Sequence, residues 1–557
     1  MNVVDIAQRV IQDVYKVTIF IKEIVTNIMS YDVDIQGKLD QEIFFLESFD
    51  SFFFKKGTLV NEDKVADFVK KDVLDILNAL YDTLGKYERV ASRHGILHAN
   101  LGRHGDTIKE QGVLVQSRLI SEFNDLRRGI IDWTLFDKKT IFKTLAIYSE
   151  WTTRLRQTIS FVLLAFVARG DGRLQSFADS LEAGGLGVRD VIKRQILATK
   201  KPSEHFRARW GQLVDNSVVP KDSIYIARYQ DEWKSPIKEV VVEYRPYNLK
   251  LCQMVKSEGT DFLKSIKNLK DPIRDLAWHL QVSDFAKKGT KTTAVASEQL
   301  DISYLQCMGY LDEPTKSRFV FLYELPQLRP GKAELKTLHD FINDTQPYPS
   351  MKPALGSRFL LAHRLATAVF NTHSFGWLHR NIWSRGIIIF PGDESSRSLD
   401  SIPPSQPIIP YLLGWDTARS SEPNMELPVD LEVEQNFYRH PRQQGKPRFE
   451  FMKEHDIYAL GVVLLEIGIW RTVSSFCRNQ IRIASGKGIL PLERTTSWYL
   501  DYVKTTLTAE MGRAYSDAVS LCLTGKFGVD NDDDQKTILS LVFREKVIEV
   551  MAKGLKL

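Results

Sequence analysis

Apolar residues recur at helical spacing through the first part of the chain and at strand spacing only after it. Val3, Ala7, Val10, Val14, Val17, Ile21, Ile24 and Ile28 follow one another at alternating short steps, which sets one apolar seam along a helix. A second stripe, Val65, Phe68, Val69, Ile76, Leu77, Leu80 and Leu84, follows Asn61, a residue type suited to an N-cap. A third, Ile141, Leu145, Tyr148, Leu155, Ile159 and Val162, follows Asp137, another capping type. Between them "LDQEIFFLESFDSFFF" and "EQGVLVQSRLISEFNDLRR" keep the same period. Several amphipathic helices joined by polar connections bury their seams by packing together, so residues 1–195 are predicted to be an all-α helical bundle.

The texture changes near residue 200. "ATKKPSEHF" is polar and contains proline, and residues 196–220 read as a linker. Short β-like runs follow: "DSIYIARY", "KEVVVEYRPY", "LQCMGYL" and "RFVFLYELP". From Pro353 helical patterns return, in "ALGSRFLLAHRLATAVFNTHSFG" and "HDIYALGVVLLEIGIW". A strand-rich part followed by a helix-rich part predicts an α+β arrangement in two lobes over residues 221–557. "SSRSLDSIPPSQP" (395–407) reads as a loop insertion, and "DNDDD" from Asp530 as a solvated acidic loop.

Composition narrows the function classes. The chain has 557 residues, 43% hydrophobic and 26% charged, which is ordinary for folded globular proteins. A net charge of +5 spread over so large a surface gives no reason to expect nucleic acid as a partner. The four cysteines, Cys252, Cys307, Cys477 and Cys522, form no CxxC pair and read as reduced core thiols of a cytoplasmic protein. Asp5, Arg9 and Asp13 interrupt the opening apolar residues, so no signal peptide is expected, and no uncharged apolar run is long enough for a constitutive membrane span.

The candidate chemistry lies in "GWLHRNIWSRGIII", which begins at Gly376. A helical run ends at Phe375; "LHRN" and a short strand "GIIIF" follow, then "YLLGWDTARS", "YRHP" and "HDIYALGVVLLEI". In order and spacing Leu355 to Arg471 resembles the C-lobe of a protein kinase, with "VFLYELP" (320–326) as N-lobe strand and hinge. The resemblance implies a bilobal kinase-like fold in which His379, Arg380, Asp456 and Gly461 belong to the packing frame, and Trp415 to the hydrophobic spine. It does not imply activity, because phosphoryl transfer needs particular reagents. Asn381 stands where the family has its catalytic Asp, and an amide cannot accept the hydroxyl proton. Gly386 stands where a metal-binding Asn belongs, and Gly414-Trp415-Asp416 where Asp-Phe-Gly belongs. No glycine occurs from residue 212 to 258, where a glycine-rich loop would cover phosphates. Arg245 is the nearest stand-in for the strand lysine, with Asp275 as the nearest acidic partner. The chain therefore resembles a pseudokinase, and no cofactor is expected: ATP–Mg²⁺ should bind little or not at all. If nucleotide were bound, Arg245 and Asp416 would be the residues to meet it.

The first part of the chain resembles the HeLo or HeLo-like domain of fungal incompatibility proteins, on its apolar opening helix, "QGKLDQEIFFLESFDSFFF", "LYDTLGKYERVASRHGIL" and "IDWTLFDKKTIFKTLAIYSEWTTRLRQTISFVLL". That likeness implies a membrane-attacking cell-death module whose opening helix, with Val10, Val14, Val17, Ile21, Ile24 and Ile28, meets lipid once released. The order of the two parts is similar to that of mixed-lineage kinase-domain-like pseudokinases. Implied partners are anionic membrane lipids, further copies of the chain on activation, and an unidentified upstream protein activator, with movement from cytoplasm to membrane. Two alternatives stay open: an active atypical kinase, and a scaffold with neither nucleotide nor membrane.

Overall fold

A computed structural model describes residues 3–27, 33–54, 67–93, 113–118, 133–166, 173–189, 205–214, 224–232, 235–247, 251–253, 260–281, 304–326, 335–345, 352–390, 408–415, 418–420, 433–444, 450–487, 492–529 and 536–556, with a few isolated positions besides. The chain divides into two compact units after residue 199. Asn61, Val65, the insertion 395–407 and the acidic run from Asp530 lie outside the described residues.

The first unit is helical. Its long helices are α1 (Val3–Asn27), α2 (Val33–Phe53), α3 (Asp67–Arg93) and α4 (Lys138–Phe166), followed by the short α5 (Arg173–Ala178) and α6 (Leu181–Gly185). Asp137 caps α4, since its carboxylate accepts the Thr140 N–H at 3.1 Å. The seam of α1 is buried at Val14, Val17, Ile21 and Ile24, whereas Val10 is half-buried and Ile28 lies beyond the described residues. The predicted single seam is too narrow a description. Ile11, Ile19, Phe20 and Val25 are buried as well, because α2 and α3 both pack on α1. The Phe136 ring lies edge-on to Phe20 at 6.2 Å and to Tyr87 at 5.4 Å. Polar contacts inside are few. Tyr15 donates to Glu47 at 2.8 Å, and Thr18 lies 3.2 Å from the Tyr148 hydroxyl while donating to the Val14 carbonyl.

The second unit opens with an antiparallel sheet of five strands: β1 (Gln212–Leu213), β2 (Ile224–Gln230), β3 (Lys238–Pro246), β4 (Cys307–Glu313) and β5 (Arg318–Glu324), in the order β1-β2-β3-β5-β4. Helix α7 (Thr260–Leu280) connects β3 to β4. The sheet curls round a core of Leu213, Ala227, Tyr229, Val240, Val242, Tyr244, Leu311, Val320 and Leu322. Within the segment predicted as a linker, residues 209–214 are bonded into the sheet, while 215–220 lie outside the described residues. The Arg209 N–H donates to Tyr310 of β4 at 2.8 Å, and the Val214 N–H donates to Arg228 of β2 at 2.8 Å. One short segment therefore bonds to an edge strand at each side and satisfies edges that would otherwise be open. The Arg209 guanidinium locks it, donating to the Met308 carbonyl at 2.8 Å and to Asp231 at 2.9 Å.

Helices dominate the rest: α8 (Leu338–Thr345), α9 (Leu355–Ser374), α10 (Val433–Asn436), α11 (Lys453–Ile469), α12 (Val473–Phe476), α13 (Arg478–Lys487), α14 (Leu492–Tyr502) and α15 (Thr508–Thr524). Two small antiparallel sheets carry the turn of interest: β7 (Trp377–Leu378) with β10 (Arg419–Ser420), and β6 (Lys336–Thr337), β8 (Ile387–Ile389) and β9 (Pro410–Leu412) in the order β6-β8-β9. From His455 to Ile469 every residue of α11 is buried, as expected of a helix apolar on all sides. Gly461 lets α11 lie close to α15: a Cβ there would lie 2.8 Å from the Cβ of Cys522.

Candidate functional site

The turn His379-Arg380-Asn381 follows β7 and is held from below by α11. Asp456, in the first turn of α11, is buried, and its two oxygens accept the backbone N–H groups of His379 and Arg380, each at 2.8 Å. His373 of α9 adds a third contact at 3.0 Å. Burial alone would raise the Asp456 carboxyl; the His373 bond and charge, with the backbone donors, outweigh it and hold it below its ordinary value. Arg380 has φ 68°, a left-handed conformation that costs a non-glycine residue energy, and the paired acceptors of Asp456 stabilise it.

Asn381 sits at the apex, and both ends of its amide are engaged. Its nitrogen donates to the Gly414 carbonyl at 3.3 Å, and its oxygen accepts from the Gln435 amide of α10. Glu434, beside Gln435, lies 3.7 Å from Arg385. Arg385 in turn lies 2.8 Å from the His339 ring of α8. Further along, Tyr438 contacts Ser384 at 2.9 Å and donates to Glu466 at 2.6 Å, while Tyr499 donates to the Phe437 carbonyl at 2.6 Å. Burial pushes the Glu466 carboxyl up to about 8, against the lowering effect of these donors. Residues 434–438 are thereby stapled across the turn. The cleft left between Arg380, Asn381, Gln435, Tyr438, His440 and His455 measures about 10 Å³, room for one water.

The position of Gly386 is crowded. Gly386 is buried, and a Cβ there would meet the Trp383 ring at 3.1 Å and the Leu413 carbonyl at 3.2 Å. Gly414 has φ 83°, and a Cβ on it would approach the Asn381 amide at 3.3 Å. Trp415 is buried with its ring 4.4 Å from His379 and 5.6 Å from Tyr304, and its indole donates to Leu412 at 3.1 Å. In this packing burial holds the His379 imidazole down to about 4, so the ring is neutral at pH 7. Arg245 donates to the Trp415 carbonyl at 3.2 Å, tying β3 to this segment. Asp416 lies outside the described residues.

Sequence reasoning named His379, Arg380, Asn381, Gly386, Gly414, Trp415, Arg245 and Asp456, and the fold brings these together. Gly461 lies apart, in the contact between α11 and α15, and the α1 residues belong to the other unit. Three contributors were missed. Gln435 and Tyr438 carry no local signal. Glu243 is buried on β3 and accepts from Tyr323 at 3.0 Å, filling the sheet side with a carboxylate and a phenol. A signal for it existed: Val241, Glu243 and Arg245 share one face of a strand otherwise apolar on both. Set against known proteins, the chain matches no family model and no curated sequence.

Proposed function

We propose that residues 200–557 are a protein-kinase-like module that has lost phosphoryl transfer, and that it restrains a HeLo-like, membrane-active helical unit formed by residues 1–199. The strand order with a helix between β3 and β4, followed by a helical part whose turn is anchored by Asp456, supports the kinase-like reading. The observation that carries the loss of chemistry is the amide of Asn381, spent on Gly414 and Gln435 where transfer would need a free carboxylate. The crowding at Gly386 and the Glu243–Tyr323 pair agree with it. The membrane-active reading rests on α1, whose residues 17–25 are buried on several sides; once released, that surface has only lipid or another copy to cover it. No described helix is long and apolar enough to cross a membrane, so interfacial or assembled insertion is the mode proposed. In this reading the chain rests in the cytoplasm and moves to the membrane on activation.

The full chain incubated with labelled ATP and Mg²⁺ or Mn²⁺ is expected to incorporate no phosphate, and millimolar ATP–Mg²⁺ is expected to leave its melting temperature unchanged. Sustained turnover overturns the reading of a dead kinase. For the other half, dye release from phosphatidylcholine–phosphatidylglycerol vesicles on activation is the measurement. Vesicles that stay intact with every form of the chain leave only a scaffold.

A further inference from the structure

We infer that the outer face of α13 is a docking surface for an acidic segment of a partner protein. Helix α13 packs on α10 and α12 with its inner side, while Arg478, Asn479, Arg482 and Ile483 are exposed, Ile483 at 53%. No acidic residue occurs between Glu466 and Glu493, a stretch that holds Arg471, Arg478, Arg482 and Lys487. Arg478 and Arg482 have no ion pair among the described residues, although they stand one helical turn apart and repel each other. Ile483 stands exposed beside them. Local choices that oppose helix stability without a compensating contact mark function.

The chemistry of the face selects its occupant. Two guanidinium forks one turn apart match carboxylates bidentately, better than an ammonium would. Ile483 supplies a small apolar contact next to them, so the segment that fits carries carboxylates and one apolar side chain. A nucleic acid would call for a longer basic track, and a bilayer for a broader apolar face, than this helix offers.

The site also has a place in the mechanism, and in this respect it rests on the reading of a non-catalytic regulatory module. Helix α10, against which α13 packs, carries Glu434 and Gln435, which hold Arg385 and Asn381. A partner on α13 sits one helix away from the staple over the turn.

The test uses the full chain and a fluorescein-labelled octapeptide of Glu and Asp with one central Leu, followed by fluorescence anisotropy. Wild type is expected to bind it, and to bind forms with Leu→Ser or with Lys for Glu more weakly. Arg478→Glu with Arg482→Glu is expected to weaken binding at least roughly tenfold. The Lys double variant, which keeps charge and loses the fork, should fall between, and Ile483→Asp should weaken binding several-fold. All three positions are exposed, and circular dichroism checks each fold. Equal binding by wild type and the Glu variant overturns the proposal, as does no binding at roughly 100 µM protein. Tighter binding to phosphatidylserine vesicles or to a DNA duplex also overturns it. ATP turnover with peptide binding still lost in the Glu variant would sink the pseudokinase reading and leave the docking surface standing; the converse result would do the reverse.

Discussion

Both units have apolar cores, but they differ in how their polar groups are connected. In the helical unit the polar contacts between helices are separate pairs, Tyr15–Glu47, Thr18–Tyr148, Thr152–Glu42 and Thr158–Asp72. In the second unit the polar groups round the turn are connected: Asp456 with His373 and two backbone donors, Glu466 with Tyr438, and Asn381 with Gln435. An apolar interface is non-directional and does not by itself fix one geometry. A buried polar network holds one geometry and loses several bonds at once when one member goes. The contrast teaches that the turn at Asn381 is fixed in position by its hydrogen-bond partners, Gly414, Gln435 and Asp456.

The sharpest way to break the contrast is a charge in the helical unit. Ile21→Asp puts an unpaired carboxylate at a buried site of α1 and should cost about 4 kcal/mol or more. Urea unfolding followed by circular dichroism should show an early transition for the helical unit and an unmoved one for the other. A shift of both would mean that the units do not unfold separately. In the second unit Asp456→Ala leaves two buried N–H groups and His373 without their acceptor, at about 3 kcal/mol. An unchanged transition for that unit would show that α11 does not hold the turn.

Acid should act on the units in opposite directions. Burial pushes the Asp50 carboxyl, near the end of α2, up to about 6. Between its unfolded value of 3.8 and about 6 the folded unit keeps a proton that the unfolded chain releases, so stability falls as pH rises through that window. Asp50→Asn should stabilise the helical unit at pH 7 by roughly 2 kcal/mol and flatten its response between pH 4 and 6. In the second unit burial holds His339, His379, His440 and His455 down to about 4, each below its ordinary 6.5. There the unfolded chain takes up protons first, so stability is lost as pH falls from about 6.5 toward 4. Thermal melts at pH 5 and pH 7 should show the two transitions moving apart; parallel movement would refute the assignment.

The smallest effect is expected from adding side chains at the turn. Gly386→Asn forces a side chain against Trp383 and the Leu413 carbonyl and should cost about 1–2 kcal/mol. Combined with Asn381→Asp it should still transfer no phosphate. A labelled product from that double variant would show that only two side chains separate this turn from a working site.

The elements themselves were legible. Helical period marked α1, α3 and α4, alternation marked β2 to β5, and the motif order around His379 marked the turn, because each of these signals is local. The extent of burial on α1 was not legible, since it depends on two neighbours packing at once. Nor was the closing of the sheet by Arg209, which a polar, proline-containing stretch gave no reason to expect. The site shows the same division most plainly. Its residue types, Asn381 and Gly386 among them, could be read one by one and compared with what phosphoryl transfer requires. Their use could not, because the partners that decide it lie far along the chain: Gln435 is 54 residues from Asn381, Asp456 is 77 from His379, and Tyr323 is 80 from Glu243. By itself the sequence determined where the chain turns helical, where it turns to strand, and which residue types stand at the turn. Only the tertiary structure decided what the remaining side chains do, since a hydrogen bond is a matter of position and these groups acquire theirs only when the chain has folded.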